Sequence, residues 1–80
     1  MKRRMMENIE ISTETIRLDQ LLKLAGAVPT GGSVRSLLED RRISVNGIPE
    51  TARRKKLFPG DVVSLFTEDG EKKYKVVIGE

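Results

Sequence analysis

The residues most able to bind a ligand are six cations that lie within sixteen positions of this 80-residue chain: Arg41, Arg42, Arg53, Arg54, Lys55 and Lys56. Within that window Glu50 is the only acidic residue. Adjacent cations repel one another, and a bound anion relieves the repulsion. Asn46-Gly47, between the two basic clusters, is a strong signal for a tight hairpin turn. The spacing therefore predicts two basic clusters at a fixed separation, an arrangement suited to a shaped polyanion.

No residue set for catalysis accompanies these cations. The chain contains neither His nor Cys, which removes the commonest general base and the most frequent zinc ligands. Asp19 and Asp61 have no His, Cys or second carboxylate at a useful spacing, and Asp61 follows Pro-Gly in a turn sequence. Gly31-Gly32 lacks the Gly-Lys-Ser/Thr that completes a Walker-type phosphate loop. We expect a protein that is not an enzyme and that needs no cofactor or metal.

Composition narrows the class of protein further. Fifteen Lys and Arg face twelve Asp and Glu, and the excess lies in residues 41–80. The aromatic residues are few, namely Tyr74, Phe58 and Phe66, which predicts an aliphatic core and disfavours the modules that stack bases on exposed rings. No apolar run is long enough to span a membrane, and no signal-peptide core follows the basic start. We expect one cytoplasmic domain over residues 1–80, without membrane contact and with residues 1–7 disordered.

Two helices are predicted in the first half of the chain. The first is indicated by apolar residues at helical spacing, namely Leu18, Leu21, Leu22 and Ala25. Thr13 or Thr15 can cap its start, and Gly26 can end it. The second opens at Thr30, a good N-cap, and presents a buried face of Val34, Leu37 and Leu38.

Short strands account for most of the remaining chain. Alternating apolar residues predict strands over 8–12, 62–66 and 74–78, and a hairpin around Asn46-Gly47. The resulting order is β-α-α-β-β-β-β. The predicted fold class is therefore α+β, with two helices packed on a small, mostly antiparallel sheet.

Four segments in this order carry a resemblance to a known family. They are Arg17-Leu18-Asp19, Thr30-Gly-Gly-Ser33-Val34-Arg35, Ile43-Ser44-Val45-Asn46-Gly47 and Pro59-Gly60-Asp61-Val62-Val63. Together they resemble the S4 RNA-binding domain family, whose core is called the alpha-L motif, over about residues 15–66. The length, with an extra strand at each end, is similar to the small stand-alone bacterial members of the YaaA/YbcJ-like group.

The resemblance implies one RNA-facing surface formed by the two helices and the loop after the hairpin. The matching positions are Arg17, Thr30, Gly32, Ser33, Arg35, Asn46, Arg53, Arg54, Lys55 and Lys56, and the charge pattern adds Arg41 and Arg42. For Thr30, Ser33 and Asn46 a capping or turn role is the stronger expectation. Arg17 and Arg35 lie near helix N-termini, where a guanidinium and backbone N–H groups could share a phosphate.

Two positions depart from the pattern of the family. Arg41 stands where the family usually has Gly, so it must adopt a left-handed conformation or end the second helix differently. Glu39 stands where the family has a basic residue, and it is spaced to pair with Arg35 on a solvated helix.

The residues and the resemblance together predict a monomeric, non-catalytic protein that binds structured RNA, with ribosomal RNA, tRNA or the ribosome as partner. Two alternatives stay open. One is a protein-interaction adaptor that binds an acidic partner, for example by adding strand 8–12 to a partner's sheet. The other is an accessory RNA-binding subunit that acts in trans with an RNA-modifying enzyme.

Overall fold

A computed structural model describes residues 5–29 and 31–79. Within these residues the chain forms two helices, α1 (Leu18–Leu24) and α2 (Gly31–Glu39). It also forms seven strands: β1 (Met5–Ile11), β2 (Ile16–Arg17), β3 (Ile43–Val45), β4 (Ile48–Pro49), β5 (Lys56–Leu57), β6 (Val62–Thr67) and β7 (Gly70–Ile78).

Five of the strands form one sheet in the order β1-β7-β6-β3-β4. Every neighbouring pair is antiparallel except β1 and β7, which run parallel. The α+β class with a mostly antiparallel sheet is confirmed. Strands β2 and β5 form a separate two-stranded antiparallel ladder that the sequence did not predict.

Strand β1 begins earlier than its apolar alternation indicates. It starts at Met5 rather than Asn8, because β7 begins at Gly70 and offers a backbone partner along the whole length. The expected disorder over residues 1–7 is therefore wrong for residues 5–7, and residues 1–4 lie outside the described part of the chain. Ile9 and Ile11 are buried while Asn8 and Glu10 are exposed, which is the expected period of a half-buried strand.

The core is aliphatic and lies between the helices and the sheet. The predicted helix faces are confirmed, since Leu18, Leu21, Leu22 and Val34 are fully buried. The sheet contributes Ile43, Val63, Leu65 and Val76 to the same cluster. Tyr74 is also buried, whereas Phe58 and Phe66 are exposed. Packing of aliphatic side chains thus supplies most of the hydrophobic stabilisation.

The start of α1 differs from the prediction. Arg17, not Thr13 or Thr15, occupies the N-cap position, because Ile16 and Arg17 are held extended by pairing with β5. The Thr13 hydroxyl instead donates to the Thr15 carbonyl at 2.6 Å.

The end of α1 follows the prediction. Gly26 has a left-handed backbone with φ of 73°. Its N–H donates to the Lys23 carbonyl at 3.0 Å, and the Ala27 N–H donates to the Leu22 carbonyl at 2.9 Å. This pair of hydrogen bonds is the Schellman closure that glycine favours.

Candidate functional site

The hairpin turn is tied to the turn that precedes β6. Asn46 and Gly47 both have positive φ, 53° and 82°, as a type I′ turn requires. The Asn46 side chain accepts a hydrogen bond from the Val62 N–H at 2.9 Å and donates to the Asp61 carboxylate at 3.1 Å. Both ends of the amide are thereby engaged within the protein. The expected turn role of Asn46 is confirmed, and its position braces the hairpin.

The basic loop, which carries Arg53, Arg54, Lys55 and Lys56, is docked against the start of α1 by its backbone. The Leu18 N–H donates to the Lys55 carbonyl at 2.9 Å, and the Asp19 N–H donates to the Arg53 carbonyl at 3.1 Å. These bonds satisfy two of the helix N–H groups that have no partner inside the helix. The two N–H groups are therefore not open to a phosphate, contrary to the expectation for this helix. Of the loop side chains, those of Arg54, Lys55 and Lys56 are exposed and that of Arg53 is half-buried.

A cleft between α2 and this loop gathers cations from three parts of the chain. It has a volume of about 560 Å³ and is lined by Arg35, Leu38, Glu39, Arg41, Thr51 and Arg53. Arg35 comes from α2, Arg41 from the residues that end it, and Arg53 from the basic loop. Nothing in the sequence spacing indicated that Thr51 would line the same cleft. Three guanidinium groups around one concave surface can bind several oxygens of a polyanion.

The one carboxylate in the cleft is held weakly. Arg35 Nε lies 3.4 Å from Glu39 Oε1, and more than half of each side chain is exposed. Exposed pairs at this helical spacing contribute only about 0.3–0.5 kcal/mol. A phosphate can therefore replace Glu39 as the partner of Arg35 at little cost.

Arg41 adopts the left-handed conformation, one of the two alternatives expected at its position, with φ of 57°. Its N–H donates to the Leu38 carbonyl, and the Arg42 N–H donates to the Leu37 carbonyl, both at 3.0 Å. This is again a Schellman closure, with Arg in the place that normally suits Gly. An L-residue pays about 1–2 kcal/mol for this conformation. The chain thus accepts strain at a residue that lines the cleft.

A second group of cations lies on the small ladder. Arg17 and Lys56 are directly opposite each other in the β2–β5 pair, so their side chains are neighbours. Arg17 Nε contacts Asp19 Oδ1 at 3.3 Å, which reduces the repulsion. Because the Arg53 carbonyl binds α1 directly beside this ladder, the cleft and the ladder are linked through the same short loop.

Most of the cations that line the cleft or lie in the basic loop form no ion pair with an acidic side chain of the described residues. Lys55 Nζ is 4.0 Å from Glu50 Oε1. Among the described residues, four cations of this surface form no ion pair, namely Arg41, Arg53, Arg54 and Lys56. Two of these four, Arg41 and Arg53, line the cleft, and Arg54 and Lys56 follow Arg53 closely in the chain.

Gly32, Ser33 and Arg42, three other positions predicted to bind RNA, do not line the cleft. Gly32 is exposed and Ser33 half-buried in the first turn of α2, while Thr30 lies outside the described residues. Arg42 pairs with Asp40 at 3.9 Å, and its carbonyl accepts the Phe66 N–H at 2.8 Å. The structure therefore joins Arg41 to the cleft but engages Arg42 elsewhere.

A family model described as S4 domain matches residues 9–77. The chain belongs to the S4 domain family. The match extends the resemblance at both ends, so residues 9–11 of β1 and nearly all of β7 lie within the matched S4 domain. The chain is also 42% identical over 57 residues to a Bacillus subtilis (strain 168) protein named "Probable ribosome maturation protein RlbA". The aligned part covers 71% of this chain and 80% of that protein.

None of the helices within the described ranges has the length and apolar character needed to cross a membrane. Over the same ranges, no three acidic, His or Cys side chains are grouped as metal ligands would be.

Proposed function

We propose that this S4 domain is a non-catalytic module that binds structured RNA, either ribosomal RNA or tRNA, in a ribosome-related role. The observation that carries the proposal is the cleft in which Arg35, Arg41 and Arg53 meet. Clustered guanidinium groups are the side chains best suited to phosphate, because each can donate two parallel hydrogen bonds.

The rest of the cationic surface extends this contact along an RNA backbone. Arg54, Lys55 and Lys56 follow the cleft directly in sequence, and Arg17 faces Lys56 across the ladder. These side chains recognise phosphates, which fix the position and orientation of an RNA. A rigid arrangement of phosphate contacts selects the shape of a folded RNA rather than its sequence.

The similarity to the Bacillus subtilis protein supports the choice of RNA. That protein carries the name of a ribosome maturation protein, and the similarity covers most of both chains. Ribosomal RNA is therefore the first RNA to test. A monomer acting in the cytoplasm is part of the same proposal.

Salt-dependent binding tests the proposal directly. The purified protein should bind ribosomal RNA fragments or tRNA at low salt with micromolar or tighter affinity. If about three to five phosphates are contacted, the logarithm of the affinity falls against the logarithm of salt with a slope of roughly −2 to −5. A protein that binds neither RNA at low salt contradicts the proposal.

Two triple variants that remove equal charge locate the site. Changing Arg35, Arg41 and Arg53 to Gln should lower affinity at least about tenfold and flatten the salt slope by about two to three units. The matched control changes three cations of β7 to Gln: Lys72, Lys73 and Lys75. We expect this control to retain most of the affinity. Equal losses from both variants would show that only the total charge matters.

A protein-interaction adaptor is the second candidate, and one observation favours it. Strand β1 lies at the edge of the sheet, with β7 on one side only. An open edge can pair with an extended segment of a partner. RNA crosslinking in cells separates the candidates, since an adaptor would be recovered with protein and without RNA. An accessory subunit acting in trans would be crosslinked to the RNA that its enzyme modifies.

A further inference from the structure

An exposed aromatic ring, that of Phe58, lies just after the basic loop. Phe58 is 53% exposed, although the chain has only three aromatic residues. Its exposure follows from the strand period: Leu57 is fully buried in the core, so its neighbours Lys56 and Phe58 face the other way. The ring therefore shares a side of the chain with a cation of the proposed RNA surface.

Phe58 is part of a small apolar patch. Ile48, at the start of β4, is 70% exposed and lines the same depression of about 250 Å³. Lys55 and Lys56 also line it. Glu50 and Asp61 line the depression as well, but Glu50 lies 4.0 Å from Lys55 Nζ and the Asp61 carboxylate accepts hydrogen bonds from Asn46 and the Phe58 N–H. Lys56 is left without an ion pair among the described residues. A cation beside an exposed ring is the combination used by grooves that hold single-stranded nucleic acid: a basic group for the backbone and a ring for the base.

The backbone that carries the ring is fixed on both sides. The Phe58 N–H donates to the Asp61 carboxylate at 2.8 Å, and the Asp61 N–H donates to the Phe58 carbonyl at 3.0 Å. The Gly60 N–H donates to the Val76 carbonyl at 2.7 Å, and Asn46 holds the other oxygen of Asp61 at 3.1 Å. Presenting the ring therefore requires little ordering when a ligand binds.

We propose that Phe58, with Ile48 beside it, is a stacking platform for one unpaired nucleobase of the bound RNA. The inference rests on the proposed RNA-binding function and adds a base contact to a surface described so far by its phosphate contacts. Bases inside a paired stem are already stacked and out of reach, whereas a bulged or looped base can be splayed onto a ring. The flanking phosphates of such a base would meet Lys55 and Lys56. This role runs against the sequence-based expectation that exposed aromatic platforms are disfavoured.

Two labelled RNA hairpins with the same stem test the platform. One is fully paired, and the other carries a single bulged 2-aminopurine, whose fluorescence falls on stacking. The wild type should bind the bulged hairpin more tightly and quench its fluorescence. Phe58→Ala should lose at least about fivefold affinity for the bulged hairpin, and the quenching with it, while its binding to the paired hairpin is unchanged. The salt slope should be unchanged because no charge is removed.

Three further variants keep the result interpretable. Phe58→Trp retains a stacking ring and should bind like the wild type, whereas Phe58→Leu retains apolar bulk without a ring and should behave like Phe58→Ala. Phe66→Ala is the matched control, since Phe66 is 42% exposed at the opposite end of β6 from the Phe58 turn. Urea unfolding midpoints of all four variants show that each protein is folded.

The outcomes distinguish a failure of the Phe58 stacking platform from a failure of the proposed RNA-binding function. If Phe58→Ala and Phe58→Leu bind the bulged hairpin as the wild type does, the platform is wrong while RNA binding stands. The same conclusion follows if Phe66→Ala causes an equal loss. If the wild type binds neither hairpin at low salt, both the platform and the proposed RNA-binding function fail.

Discussion

Replacing Arg41 by Gly should make the protein more stable while weakening its function. Arg41 has φ of 57°, a conformation that costs an L-residue about 1–2 kcal/mol and costs Gly almost nothing. Glycine also loses about 0.5–1 kcal/mol more backbone entropy on folding. The Arg41 side chain is exposed, and within the described ranges it has no ion pair that the substitution would remove. The difference leaves a net gain in the free energy of unfolding of about 0.5–1 kcal/mol.

Arg41→Ala is the matched control because it removes the same charge but keeps a Cβ atom in the left-handed conformation. Chemical denaturation of the three proteins should rank Gly above Arg, and Gly above Ala by about 1 kcal/mol. For a domain of this size, 1 kcal/mol corresponds to about 4–8 °C in Tm. Both variants should lose RNA affinity, with a salt slope flatter by about one unit. If the Gly and Ala variants unfold at the same urea concentration, Arg41 carries no backbone strain and the reasoning is refuted.

Three other predictions use single side chains. Leu57→Ala should lower the free energy of unfolding in urea by about 2–5 kcal/mol because Leu57 is fully buried. Leu24→Ala is the control: Leu24 is 60% exposed, and this variant should stay within about 0.5 kcal/mol of the wild type. Similar losses in the two variants would contradict the assigned core. Arg35→Gln should weaken RNA binding because it removes a partner of the phosphate, and Glu39→Gln should strengthen RNA binding because it removes the carboxylate that competes with the phosphate for Arg35. Filter binding at two salt concentrations measures both affinities, and changes of the same sign in the two variants would contradict this prediction. Burial raises the pKa of the Tyr74 phenol, and Glu7 adds to the rise, so the unfolded chain releases this proton first as the pH passes about 10. The wild type should therefore lose stability above that pH more steeply than Tyr74→Phe, as measured by urea midpoints, and parallel curves would refute the assignment.

Local signals in the sequence were sufficient for the helices and the tight turns. Leu18, Leu21 and Leu22 follow the helical period, and all three are fully buried as that period predicts. Asn46-Gly47 specifies its own backbone geometry, so the hairpin needs no distant contact to be recognised. The left-handed backbone of Arg41 was one of two alternatives, and it was the resemblance to the family that pointed to this position rather than a local signal.

Features that depend on distant partners were not predictable in the same way. The β2–β5 ladder has two residues a side, too few for any periodicity, and Leu57 is hidden between a run of cations and Phe58. Its burial becomes visible only when β2 is placed beside it. Likewise, sequence spacing identified the basic clusters but not which members meet. Arg41 joins the cleft while its neighbour Arg42 pairs with Asp40, and that division depends on how α2 ends.

The parallel pairing of β1 with β7 has a consequence for how the chain reaches its fold. Met5 pairs with Lys72 and Ile11 with Ile78, so β1 has no sheet partner until β7, the last of the described strands in chain order, has been synthesised. The helices and the hairpin involve neighbouring residues and can form early. Pairing of β1 with β7 requires the two ends of a long segment to come together, and this step is slow because the conformational entropy is lost before the contacts between the strands form. Until then Ile9 and Ile11 stay in water. Burial of these two residues is thus a late step. A nascent chain that stops before β7 would leave β1 unpaired and one edge of β6 open, and both are prone to association with other chains.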